Sequence, residues 1–163
     1  MKKYFVSLLL LTLITLPAIG QNKNKPVAEI KNNEVVIKIY KLVESTNSGA
    51  KNGNKYLIAD VEIENISGKP IQIGAEYTMG MTIKDASGNE YRSGLKGEGI
   101  VSSYLAKNGN EKQDQKAHNL CFSDNFPPKT KARSFLCGFE VPKDAKIVSF
   151  GVKKKNMWGE LKN

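Results

Sequence analysis

Histidine is almost missing from this chain. His118 is the single one in 163 residues, so any serine or cysteine nucleophile activated by an imidazole would have to use it. It lies between Ala117 and Asn119 in a polar stretch, where a solvated loop histidine is the ordinary outcome. One imidazole also cannot build a histidine-rich metal site. The chain has no Gly-x-Ser-x-Gly elbow, no glycine-rich phosphate loop ahead of a helix and no His-Glu-x-x-His. The residues therefore predict a protein that is not an enzyme and uses no cofactor.

Arginine is nearly as scarce. Among 25 cations only Arg92 and Arg133 are arginines, although the net charge is +9. Lysine is a hydrated point charge without the planar fork that reads bases or grips phosphates in two places. Specific nucleic-acid recognition is not expected. A solubilising surface is, with a polyanion or envelope-glycan site as the alternative use of the same lysines. The candidate partner contacts are Lys107, Lys112 and Lys116 in a polar insertion, and Lys153, Lys154, Lys155 and Trp158 near the C-terminus.

Long apolar runs are limited to one, at residues 4–16. Lys2 and Lys3 precede it and the small residues of Ala18-Ile19-Gly20 follow, which is the three-part layout of a secretory signal peptide. The run is shorter than the roughly 20 residues a membrane anchor needs. Gln21, not cysteine, follows the predicted cut, so a lipid-attachment cysteine is lacking there. A periplasmic or extracellular location is expected, with no transmembrane segment after cleavage. Only Cys121 and Cys137 represent cysteine. An even pair in an oxidising compartment predicts a bridge, closing a loop of roughly 17 residues worth about 3 kcal/mol. The alternative is two buried free thiols.

What is present is strand pattern. Residues 21–33 are rich in Lys and Asn, contain Pro26, and read as a flexible leader. Residues 35–43 are dense in β-branched side chains. In residues 56–65, Leu57, Ala59, Val61 and Ile63 alternate with Ile58, Asp60, Glu62 and Glu64, so one face meets a core and the other mostly water. Ile71-Gln72-Ile73 reads as the start of a short strand, and Tyr77, Met79, Met81 and Ile83 as one face of another. Asp85-Ala86-Ser87-Gly88-Asn89 closes a hairpin onto Glu90-Tyr91-Arg92. Three glycines between residues 94 and 99 predict a loop, and residues 100–105 fit a strand or a helical turn equally. Residues 106–130 form a long polar insertion, a length at which a short helix or a functional role is expected. Phe135, Cys137, Phe139 and Val141 share a face, as do Val148, Phe150 and Val152, and residues 156–163 read as a tail. The sum is an all-β, antiparallel sandwich of about seven to eight strands spanning residues 34–155.

Three segments resemble one bacterial family. Tyr56-Leu57-Ile58-Ala59-Asp60-Val61-Glu62-Ile63-Glu64-Asn65 is similar to its long second strand ending in Asn. Met81-Thr82-Ile83-Lys84-Asp85-Ala86-Ser87-Gly88-Asn89-Glu90-Tyr91 resembles its hairpin. Gly138-Phe139-Glu140-Val141-Pro142-Lys143-Asp144-Ala145-Lys146 resembles its penultimate strand and turn. The family comprises secreted or lipid-anchored immunoglobulin-like domains of the telokin-like type, of unknown function. The resemblance implies that fold over roughly residues 34–153 and brings no catalytic residue with it. This chain departs from the pattern in its missing lipid-attachment cysteine and its basic insertion.

Other constellations have bland readings. Glu62 and Glu64 are spaced as on any exposed strand face. Met79 and Met81 have the thioether spacing of a Cu(I) site, but alternation puts both in the core beside Tyr77 and Ile83. Asp85, Ser87, Asn89 and Glu90 carry oxygens suited to calcium, yet form a series too short for a tight loop and read as a hairpin turn. The expected function is a secreted, non-enzymatic binding or accessory module whose partner is a protein or an envelope component.

Overall fold

The computed structural model describes residues 25–45, 49–108 and 111–162, with backbone alone at 111–114. The predicted signal peptide lies outside the described residues. Two four-stranded antiparallel sheets pack face to face. The first orders its strands β1 (Ala28–Lys31), β2 (Val35–Ser45), β3 (Asn54–Asn65) and β6 (Lys131–Pro142). The second orders β5 (Glu90–Arg92), β4 (Met81–Asp85), β7 (Ile147–Val152) and β8 (Met157–Glu160). Three helices interrupt the strands: α1 (Ile73–Glu76), α2 (Leu95–Asn108) and α3 (Glu111–Cys121). The protein is mostly β but not all-β.

β-Branched side chains fill the space between the sheets, where a pleated surface favours them. Val35, Ile37, Ile39, Val61 and Ile63 from the first sheet meet Met81, Ile83, Phe150 and Val152 from the second, all fully buried. The alternation in β3 decides which of its residues enter this core. Its opposite face is not simply wet, because Ile58 is buried there beneath Val101 and Leu105 of α2. The polar residues of that face pair across strands: Glu62 with Lys38 and Lys131, and Asp60 with Arg133. Asp60 and Arg133 form two hydrogen bonds of 3.0 Å each, and the guanidinium lies 3.5 Å from the centre of the Tyr40 ring.

Several expectations need correction. Part of the supposed leader is β1, whose Ala28 and Ile30 pair against Ile39 and Ile37. The Asn32 side chain turns the chain into β2 by accepting from the Glu34 and Val35 amides. The supposed tail contains β8, turned onto β7 by Asn156 in the left-handed region (φ 51°). Ile71 makes only an isolated bridge to Phe126, and Ile73 begins a helix instead of continuing a strand. Residues Thr78–Gly80 form a 3-10 turn, which breaks the alternation. Met81 is therefore core, whereas Met79 is 55% exposed. A bulge in β6 opposite Ala59 and Asp60 inserts Leu136 into the core and turns Phe135 to the outer face, against Ile58 and Tyr104.

The glycine-rich segment after β5 is not a loop but the first turns of α2. Gly97 is buried against Gly138 of β6. A β-carbon on Gly97 would fall on the Gly138 carbonyl, and one on Gly138 would lie 2.6 Å from the Gly97 oxygen. Only two residues without side chains allow helix and strand backbones to approach this closely. α2 and α3 both lie on β6, and the flank where β5 and β6 edge their sheets is where this helical insert sits. The other flank is closed by main chain: β1 lies beside β8, and the Lys162 amide donates to the Val27 carbonyl at 2.8 Å.

Candidate functional site

The two cysteines do not form the expected bridge. Both are free and buried. Cys137 Sγ contacts Met81 Sδ at 3.2 Å, and the Cys121 carbonyl accepts from the Thr78 hydroxyl at 2.6 Å. Burial pushes the Cys121 thiol up to about 12 and the Cys137 thiol well above the ordinary thiol range. Neither is a ready thiolate nucleophile.

The basic C-terminal cluster is already paired. Lys153 binds Glu90 at 2.6 Å, Lys154 binds Glu76 at 3.2 Å, and Lys155 binds Glu76 at 2.6 Å. Trp158 is part of β8 and carries Lys84 over its ring at 4.1 Å. Lys107 lies on α2, and Lys112 and Lys116 on α3. The structure thus spreads the predicted contacts over four elements: α2, α3, the 3-10 turn Lys153–Lys155 and β8. The turn reading of Asp85 holds: its carboxylate accepts from the Ser87 and Asn89 amides, the Asn89 side chain and the Tyr91 hydroxyl. Among the described residues, no group of three or more His, Cys, Asp or Glu side chains could hold a metal ion. No described helix is long and apolar enough to cross a membrane.

His118 is not a solvated loop residue. It lies on α3 with its side chain only 12% exposed, and its ring packs on Phe122 at 4.8 Å between centroids. Nδ1 lies 3.2 Å from the Phe135 carbonyl. A carbonyl only accepts, so Nδ1 carries the hydrogen and Nε2 of the neutral ring is an acceptor. Burial lowers the His118 pKa, which favours that neutral ring. Nε2 faces the Glu98 carboxyl of α2 at 4.0 Å. Burial raises Glu98 to about 7, so its carboxyl ionises around neutral pH beside an imidazole that stays neutral. Their contact is not an ion pair.

Glu98 also lines a cleft of about 400 Å³, together with Met79, Arg92, Ser93, Gly94, Leu95 and Phe122. The elements that build it are the 3-10 turn, the end of β5, the first turn of α2 and the residue after α3. The Ser93 amide donates to the Met81 carbonyl at 3.1 Å and holds the corner in place. The Arg92 guanidinium donates to the Met79 carbonyl from Nε at 3.4 Å and Nη2 at 3.3 Å. Met79 is half-exposed and Leu95 is 92% exposed, so two large apolar side chains stand at the rim. The Ser93 hydroxyl is buried without a hydrogen-bond partner; it opposes the rise at Glu98 without reaching bonding geometry. Buried polar atoms are nearly always satisfied, and among the described residues only the Ser93 and Ser123 hydroxyls are not.

Arg92, Ser93 and Glu98 were not among the residues singled out from sequence. Arg92 was visible as one of two arginines, but nothing local marked Glu98, whose burial depends on α2 docking against β6 and α3.

Fold and site together define a two-layer β-sandwich with a helical insert on one flank and a half-apolar, oppositely charged cleft beside it. The chain is similar to a conserved hypothetical protein from Bacillus anthracis of known crystal structure, with a TM-score of 0.54 and 14% identity. The match covers 82% of this chain and 92% of that one, and at this identity it shows the fold alone. No family model matches the chain, and no curated protein matches it.

Proposed function

We propose that the protein is an exported, non-enzymatic binding module of the immunoglobulin-like secreted kind, and that its ligand site is the cleft between β5 and α2. One observation carries the reading. The Ser93 hydroxyl, buried without a hydrogen-bond partner, and the half-buried Glu98 carboxyl share a cleft with the exposed Met79 and Leu95. Small-molecule sites combine an apolar lining with a few placed polar groups in this way, and about 400 Å³ lies at the small end of their range. The three segments that resemble the telokin-like secreted domains, and the signal-peptide pattern, support the exported setting.

The polyanion alternative draws less support, because Lys153, Lys154 and Lys155 already hold Glu90 and Glu76. The test is amide chemical-shift mapping of the purified exported protein against small solutes of five classes: amino acids, amines, monocarboxylates, sugars and inorganic phosphate. Shifts at residues 92–98 and Phe122 with at least one class are expected. Silence of those amides to all five overturns the reading.

A further inference from the structure

We propose that the cleft between β5 and α2 binds a free α-amino acid with an apolar side chain, its ammonium at Glu98 and its carboxylate at Arg92. The inference rests on the reading of the cleft as a ligand site and names what occupies it.

Arg92 and Glu98 line the same cleft, carry opposite charge, and do not pair with each other. Two such groups in one small cleft would collapse together unless each is held elsewhere. Arg92 is held by the Met79 carbonyl, and Glu98 faces a neutral imidazole. The arrangement leaves a cationic and an anionic locus apart, complementary to a zwitterion. A lone amine would leave Arg92 unanswered, and a lone carboxylate would meet Glu98 with like charge.

Three further features fit the same ligand. The cleft opens at the first turn of the 14-residue α2, whose positive end favours a carboxylate beside Arg92. The Ser93 hydroxyl can donate to that carboxylate or accept from the ammonium, which would satisfy a buried group now without a partner. Met79, Leu95 and Phe122 supply an apolar wall for a side chain such as that of leucine or methionine. In a peptide the free ammonium and free carboxylate sit on different residues, so the ligand is a single amino acid.

The groups facing Glu98 make the binding depend on pH in one direction. Burial lowers His118 on α3 from its ordinary range and raises Cys137 on β6 well above its own, and the Arg92 guanidinium lines the same cleft. Glu98, raised to about 7 by burial, is the group that titrates between pH 6 and 8, and an ammonium binds its ionised form. Apparent affinity is therefore expected to fall about tenfold from pH 8 to pH 6, as the ionised fraction falls.

The experiment is calorimetric titration of the exported protein with L-leucine and L-methionine at pH 6, 7 and 8, alongside 3-methylbutylamine and 4-methylpentanoate. Amide shift mapping runs in parallel. The amino acids are expected to bind at residues 92–98, at least tenfold more tightly than either single-charge analogue. Glu98→Gln should weaken binding and abolish its pH dependence, and Arg92→Gln should erase the preference over 3-methylbutylamine. The uncharged rim variant Leu95→Ala, at a 92% exposed position, should weaken binding without changing the pH profile. Equal binding of either analogue overturns the inference, as does a pH-independent affinity. Shifts with sugars, phosphate or amines but not amino acids overturn it too, while leaving the cleft a ligand site. Silence to every class overturns both.

Discussion

Replacing Gly97 by alanine pits two opposing effects against each other in one methyl group. Within a helix, Gly→Ala normally stabilises by about 1 kcal/mol, because alanine has less backbone freedom to lose. At residue 97 the new methyl would meet the Gly138 carbonyl, which is main chain in the middle of β6 and cannot swing aside. Overpacking of a close-packed contact costs about 1–3 kcal/mol, and a backbone neighbour puts this case at the upper end. The net expectation is a loss of about 2 kcal/mol, read as a fall in Tm of about 6–8 °C for a domain of this size. Gly99 supplies the internal control. It lies two residues along the same helix, is exposed, and has nothing near the place a β-carbon would take. Gly99→Ala should raise stability by up to about 1 kcal/mol. Thermal and urea unfolding of both variants give the comparison. A Gly97→Ala protein as stable as the wild type would refute the direct seating of α2 on β6, and with it the burial of Glu98 and His118.

Glu98 should impose a pH slope on folding stability. Its folded pKa of about 7 lies above the ordinary 4.5, so the folded state retains a proton the unfolded state has lost, and stability falls as pH rises through that window. His118 works the other way, losing stability as pH falls through its ordinary 6.5. The difference between wild-type and Glu98→Gln urea-unfolding curves isolates the first effect; a flat difference from pH 5 to 7.5 contradicts it. Iodoacetamide followed by mass measurement, without reductant, should add nothing to the native protein and two adducts in urea, whereas an unreactive pair in urea would mean a disulfide. Asp60→Ala should cost about 1–2 kcal/mol by stranding Arg133, the lower part of the charged hydrogen-bond range because the guanidinium is a third exposed. Arg133→Lys should lose most of the same amount, since lysine keeps the charge but not the fork or the stack on Tyr40.

The strands that were readable from sequence are those whose pattern is long and whose faces differ. β3, with its strict alternation, and the hairpin turned by Asp85 are the best cases. β1 and β8 are four residues each, too short for a period to stand clear of Lys- and Asn-rich surroundings. The helices failed for another reason. α2 contains two glycines, two serines and a valine, all weak helix formers, and it exists because a flat strand surface receives it. Two clues were nevertheless present. Gly97, Val101 and Leu105 recur every four residues, and Ile58 is an apolar residue on an otherwise acidic strand face. An unexplained isoleucine there asks for something to cover it. His118 and Glu98 were illegible because their surroundings are assembled by tertiary docking, 20 residues apart in sequence and on different helices.

The amide-to-carbonyl link between Lys162 and Val27 fastens the beginning and the end of the sandwich to one another. The first and last described residues therefore leave the sandwich at the same β1–β8 border. The cleft lined by Arg92 and Glu98 is on the other flank, where β5 and β6 edge their sheets. A protein tethered at that border would hold the cleft on the side away from its support.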